Sequence, residues 1–103
     1  MAKFIFAYHG GSMPQNPEDA EKVMKAWNDW MQGLGAALID GGAPVGKSHT
    51  VSGSGVALDG GTNPLSGYSL VEAADQAAAV EMARGCPIVH AGGSVEVAEC
   101  MAM

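Results

Sequence analysis

Residues 3–9 read Lys-Phe-Ile-Phe-Ala-Tyr-His and run directly into Gly10-Gly11-Ser12-Met13-Pro14. The first segment is rich in aromatic and β-branched side chains, which favour a strand. Two glycines and a proline interrupt both helices and strands, so the second segment is typical of a turn. The sequence therefore predicts a first strand that ends at His9.

A helix is predicted immediately after this turn. Asn16 is a good N-cap, Pro17 fits the first helical position, and the acidic residues that follow favour a helix N-terminus. Gly33 and Gly35 predict its end. At 100° per residue the apolar side chains fall on one stripe, which should face a sheet. They are Ala20, Val23, Trp27, Trp30, Met31 and Leu34.

The rest of the chain predicts a second unit of the same kind. A strand over residues 36–39 should stop at Asp40-Gly41-Gly42, and the glycine-rich segment 41–67 should form short strands in an irregular hairpin. A strand over 67–73, a helix capped by Asp75 and ending at Arg84, and a strand over 94–100 follow. The order β-α-β, hairpin, β-α-β is an α+β, ferredoxin-like arrangement with both helices on one face of the sheet. The other face carries apolar residues too, which predicts a homodimer.

Composition limits the classes of function. The chain has 103 residues, enough for one domain, and 11 acidic against 5 basic residues give a formal charge of −6. This charge repels phosphate backbones and anionic lipids, so we expect neither nucleic-acid nor membrane binding. No apolar run is long enough for a membrane span or a signal peptide. Cys86 and Cys100 lack the spacing of a disulfide framework, so we expect a cytoplasmic protein with reduced thiols.

Several short motifs, in order along nearly the whole chain, are similar to those of the YCII-related family. These motifs are Tyr8 near the end of strand one, Trp27-x-x-Trp30-Met31, Gly41-Gly42-x-Pro44, Asp59-Gly60, Gly67-Tyr68, Cys86-Pro87 and Gly93-Ser94-Val95-Glu96-Val97. The resemblance implies one domain over residues 1–103 and a dimeric α/β barrel built from two ferredoxin-like sheets. It also implies a protein of uncharacterised activity, since only a few relatives look like enzymes, acting on small aromatic or lactone-type molecules.

Two departures limit what the resemblance transfers. Short family members carry a helical His and an Asp proposed as an acid/base pair, whereas the first helix here contains no His. Members of a larger branch have Asp-Gly-Pro-Phe in the hairpin, whereas this chain has Asp59-Gly60-Gly61-Thr62.

The candidate site residues cluster at predicted strand ends. His9 is the candidate acid or base, because imidazole exchanges protons near neutral pH, and Asp59 could orient it. Alternatively, the histidines are turn residues and Asp59-Gly60 is turn chemistry. The residues that could line a ligand pocket are Tyr8, Trp30, His49 and Tyr68.

Each of these pocket residues also has a structural interpretation. Trp30 lies in the apolar helix stripe and could simply pack in the core, and a buried Tyr needs only a polar partner. Our interpretation is a small-molecule pocket with proton-transfer chemistry of the isomerase or lyase kind. The alternative is a non-catalytic binding or assembly module whose barrel interior is filled by side chains.

Residues 41–48 match the phosphate-binding pattern Gly-x-x-x-x-Gly-Lys-Ser. That pattern functions only where a helix begins at the Lys-Ser pair, and the segment after Ser48 is β-branched and broken by glycines. We therefore interpret the match as accidental. The three histidines show no metal-ligand spacing, so we expect no cofactor and no metal.

Overall fold

The computed structural model describes residues 1–12 and 14–102; Met13, in the predicted turn, and Met103 lie outside them. The helices and strands are β1 Ala2–His9, α1 Pro17–Leu34, β2 Leu38–Pro44, β3 Thr50–Ser52, β4 Gly55–Ala57, β5 Leu65–Ala73, α2 Gln76–Arg84 and β6 Ser94–Glu99. Two 3₁₀ turns, Gly35–Ala37 and Pro87–Ala91, complete them.

The main sheet has the order β2-β5-β1-β6, and each neighbouring pair is antiparallel. Strands β3 and β4 form a separate two-stranded hairpin. Without that hairpin, the order along the chain is β-α-β-β-α-β, and the first and third strands of this series lie at the centre of the sheet. The fold is therefore α+β and ferredoxin-like, as the sequence predicts.

The core lies between the sheet and its two helices. Alternate residues of β1 and β5 are buried on this side, and the residues between them face the other side, which the helices leave open. We call this second side the open face. The buried apolar residues are Phe4, Phe6, Tyr8, Val71, Ala73, Ala79, Ala83, Cys86 and Ile88.

Helix α1 begins where its cap predicts. The Asp19 backbone N–H donates to Oδ1 of Asn16 over 2.8 Å, and Pro17 occupies the first helical position. Five of the six stripe residues are half-buried, but Val23 is 39% exposed, so its predicted core position is wrong. The C-terminal half of the helix, with Trp27 and Trp30, makes the tighter contact with the core.

The predicted strand over residues 36–39 is wrong at both ends. Gly35–Ala37 forms a 3₁₀ turn, and β2 continues from Leu38 through the two glycines to Pro44. The glycines are accommodated because Gly41 O accepts a hydrogen bond from Ser69 Oγ and Gly42 N–H donates to Asp40 Oδ1. The pairing of β2 with β5 shifts register at two places, and these shifts accommodate the residues of β2 that have no partner on β5.

We expect Gly33→Ala to stabilise the protein by about 0.5–1 kcal/mol, because alanine loses less backbone entropy than glycine in a helix. Gly33 lies in the last turn of α1, and, apart from its chain neighbours and the helix backbone, no atom of residues 1–12 and 14–102 lies within 4 Å of a Cβ built on it. Urea denaturation of the variant and the unmodified protein, at the same protein concentration, measures the difference in the free energy of unfolding. Gly35→Ala is the control and should destabilise, since Gly35 has a φ of 56°. Stabilisation by both substitutions would contradict the assigned helix end.

No helix in the described ranges 1–12 and 14–102 combines the length and apolarity needed to cross a membrane.

Candidate functional site

The pleat of the sheet separates the predicted site residues into two groups. Tyr8 lies on the core side with Trp30, which packs against the core from α1. His9 and Tyr68 alternate with buried neighbours on β1 and β5, so they lie on the open face. The structure therefore does not bring Tyr8 and Trp30 together with His9 in one pocket.

On the core side, the polar atoms of Tyr8 and Trp30 make hydrogen bonds within the protein. The Tyr8 hydroxyl donates to Ser69 Oγ over 2.7 Å, and Ser69 Oγ donates in turn to Gly41 O. Trp30 Nε1–H donates to the Met82 carbonyl over 3.0 Å, and its indole stacks on Phe6 with ring centroids 6.1 Å apart. These contacts match the structural interpretation of both residues.

Burial also makes the core side a poor place for proton transfer. It raises the pKa of the Tyr8 hydroxyl well above its usual range, although the bond to Ser69 opposes this shift. Burial raises the pKa of the neighbouring Cys86 thiol to about 11. Both groups therefore keep their protons at neutral pH, and the core side offers no charged nucleophile or base from them.

On the open face, His9 is held at both ring nitrogens. Nδ1 lies 3.0 Å from the carbonyl oxygen of Asn63 and 3.3 Å from that of Pro64. Nε2 lies 3.0 Å from Glu96 Oε1. The His9 side chain is only 12% exposed, whereas that of Glu96 is 70% exposed. A ring with both nitrogens protonated donates on both sides, while a ring with one proton donates on one side only.

The neighbours of this pair follow from the strand register. Ala7 on β1 pairs with Tyr68 on β5 and with Glu96 on β6, and His9 is the next residue of β1 on the same face. Ile5 precedes Ala7 on this face, paired with Leu70. The small Ala7 side chain thus lies between an aromatic ring, an imidazole and a carboxylate.

A β-bulge adjoins the site. Tyr8 pairs with Gly67 and His9 with Leu65, so Ser66 is an extra residue of β5. Its hydroxyl is buried and has no hydrogen-bond partner among residues 1–12 and 14–102. A buried hydroxyl without a partner is costly, so this one is available to accept or donate a hydrogen bond to a water molecule.

Asp59 and His49 occupy the hairpin. Asp59 Oδ1 accepts from the Gly61 backbone N–H over 3.0 Å, which is the turn geometry that the structural interpretation describes. His49 is exposed in the segment before β3. The carboxylate bonded to His9 is Glu96, which the sequence analysis did not select.

The sequence does contain a signal for Glu96. Residues 94–97 alternate between polar and apolar, and the ferredoxin-like topology pairs the last strand with the first. Together these features place Glu96 beside His9, once the register between the two strands is known.

The phosphate-binding pattern over residues 41–48 lacks its helix. Gly41–Pro44 belongs to β2, and Lys47 and Ser48 lie in the irregular segment before β3. Within the part of the chain that the structure describes, no group of three or more His, Cys, Asp or Glu side chains is arranged to hold a metal ion.

Comparisons with known proteins identify the family. No curated protein matches the chain. A family model described as the YCII-related domain matches residues 4–103. This match covers nearly the whole chain and confirms the resemblance seen in the sequence, and the chain therefore belongs to the YCII-related family.

Proposed function

We propose that the protein binds a small organic molecule on the open face and transfers protons to and from it with Glu96 and His9. The observation that carries this proposal is the His9 ring, bound at Nε2 by Glu96 and at Nδ1 by the loop carbonyls. A low-exposure imidazole held on two sides beside an exposed carboxylate is suited to acid/base chemistry. A cytoplasmic location belongs to the same proposal, since Cys86 and Cys100 are both free thiols.

The two groups have complementary roles in this proposal. Glu96 Oε1 faces His9, and its largely exposed carboxylate can accept a proton from a ligand lying over Ala7. His9, whose Nε2 lies 3.0 Å from Glu96 Oε1, holds this carboxylate in place and supports the negative charge that develops, and Glu96 then returns the proton to the ligand. Tyr68 provides an aromatic wall, which favours flat or cyclic ligands such as small aromatic and lactone-type molecules.

The proposal includes a homodimer formed through the open faces. Each open face presents Ile5, Ala7, Tyr68 and Leu70 at the centre of the sheet, and each of these residues is only half-buried within one chain. Two such faces packed together would form the dimeric α/β barrel that the family resemblance implies and would shield the His9 site from water.

A non-catalytic binding or assembly module is the second candidate. It is favoured by the open-face side chains of Ile5, Tyr68 and Leu70, which would fill the interior of the barrel when two such faces meet. Under this alternative the same open-face dimer forms, but the His9–Glu96 pair serves only to fasten the loop at residues 63–64 to the sheet.

Proton exchange in D₂O distinguishes the two candidates. We expect the protein to accelerate exchange of the α-protons of γ-butyrolactone, followed as loss of their NMR signal. Glu96→Gln should lower this acceleration by about 100-fold, because it removes the base and keeps the side-chain volume. Glu99→Gln is the matched control. Glu99 lies on the same strand, paired with Phe4 on the opposite side of the sheet, and its substitution should leave the rate unchanged.

Binding is measured separately through the three histidine side chains of the protein. Titration with γ-butyrolactone, phenol or benzoate should shift the Hε1 resonance of His9 and leave that of the exposed His90 in place. A shift at His9 without proton exchange favours the binding module. If none of the three compounds moves the His9 resonance, the proposed ligand class is wrong.

A further inference from the structure

We propose that the hairpin formed by residues 49–59, here called the arm, packs its apolar side against a second copy of this chain. This inference rests on the open-face dimer of the proposed function and adds a second contact region to it. It concerns a part of the molecule outside the sheet and the core.

The arm projects from the body of the protein. The outer strands of a four-stranded sheet lie only ~14 Å apart at ~4.8 Å per spacing, whereas the Cα atoms extend over 43 × 42 × 18 Å. The radius of gyration is 14.8 Å, above the ~13 Å expected for a compact domain of about 100 residues. Every residue from 49 to 59 is exposed.

The arm has one apolar side. Val51 and Val56 are directly paired across the two strands and are 77% and 60% exposed. The adjacent pairs, Thr50 with Ala57 and Ser52 with Gly55, lie on the other side of the hairpin. An isolated two-stranded hairpin is marginally stable in water, so a face of paired valines is expected to be covered.

A second copy is the occupant that the geometry favours. The arm is joined to the rim of the open face, because His9 Nδ1 faces the carbonyl oxygens of Asn63 and Pro64 just beyond it. A sheet face of four strands and at most eight or nine residues has a projected area of roughly 500 Å² at standard spacings, which limits the accessible surface that it can bury. A standard stable interface buries about 800 Å² per partner. The two arms of a dimer extend the contact beyond the sheet faces.

Charge is consistent with self-association through the arm. Each chain carries a formal charge of −6, so an acidic arm would repel a second copy. The arm itself carries a single charged residue, Asp59, and Lys47 lies two residues before the arm, so the longer segment 46–64 is neutral in formal charge. With Lys47 close to its base, the arm adds little to the repulsion between two copies.

The test is the dimer dissociation constant of Val51→Thr/Val56→Thr, measured by sedimentation equilibrium. Threonine keeps the β-branched shape that favours a strand and places a hydroxyl on the apolar side. We expect the double variant to dissociate at least about tenfold more readily than the unmodified protein. The control is Val23→Thr/Val89→Thr, which replaces two exposed valines outside the arm. Val23 lies on α1 and is 39% exposed, and Val89 lies on the second 3₁₀ turn and is 41% exposed. This control should leave the dissociation constant unchanged.

The outcomes distinguish a failure of the arm contact from a failure of the open-face dimer. A dimer whose dissociation constant is unchanged in the arm variant overturns this inference and leaves the proposed dimer standing. An unmodified protein that is monomeric at all concentrations overturns both. Equal weakening by the arm and control variants would also overturn the inference, because the effect would then follow from any lost valine surface. Circular dichroism confirms that each variant retains its folded spectrum.

Discussion

Gly42→Ala is expected to lower the free energy of unfolding by about 3–5 kcal/mol, a large part of the stability of a domain of this size. Gly42 has a φ of 69°, a conformation that residues with a Cβ rarely adopt. A Cβ built there would overlap the backbone carbonyl oxygen of Tyr68 on β5, and no rotation of a side chain relieves that overlap. The substitution should therefore push β2 away from β5.

The matched control for this prediction is Gly46→Ala. Gly46 lies just beyond β2, and a Cβ built on it has no atom within 4 Å. We expect it to change the stability by less than about 0.5 kcal/mol. Urea denaturation at a single protein concentration measures both variants. Equal effects of the two substitutions would show that Gly42 does not approach β5 as closely as the structure indicates.

The elements that the sequence predicts well are those whose signals are local. The strand before Gly10 and the helix that begins at Pro17 depend on residue types within a few positions, and both are confirmed. The second helix is confirmed for the same reason, since Asp75 Oδ1 accepts from the Ala78 backbone N–H as its cap.

The bounds of β2 could not be predicted from the sequence, because the hydrogen bonds that hold this strand come from a distant segment of the chain. Gly41 and Gly42 are turn residues by composition, yet Ser69, on another strand, donates to the Gly41 carbonyl and holds this segment against β5. Hydrogen bonds between distant segments override local preferences in this way. The length of β2 follows from the register with β5.

The candidate site could also be predicted only in part, because the contacts between its residues depend on how the strands pair. His9 and Tyr68 could be selected from the sequence because His and Tyr at strand ends favour a polar site, and the structure places both on the open face. The pairing of His9 with Glu96 joins residues 87 positions apart and depends on register. Tyr8, adjacent to His9 in sequence, lies on the opposite side of the sheet because side chains alternate along a strand.

The second large effect is expected for Phe6→Ala, which should destabilise the protein by about 3–5 kcal/mol. Phe6 is 0% exposed at the centre of β1 and stacks on Trp30. Removal of the ring leaves a cavity between the sheet and α1, because the surrounding backbone is held by hydrogen bonds on both sides of β1. Phe6→Leu keeps most of the volume and should cost less than half as much.

Tryptophan fluorescence distinguishes a cavity beside Trp30 from a general loss of stability. Trp30 is fixed at its indole nitrogen by the Met82 carbonyl, so it cannot move fully into the space that Phe6 leaves. The folded Phe6→Ala protein should therefore show a red-shifted tryptophan emission as water reaches the indole. Leu65→Ala, at an exposed position of β5, is the control and should change neither emission nor stability appreciably. A loss below about 1.5 kcal/mol for Phe6→Ala, with unchanged emission, would mean that α1 moves in to refill the core. That result would contradict a rigid contact between the helix and the sheet.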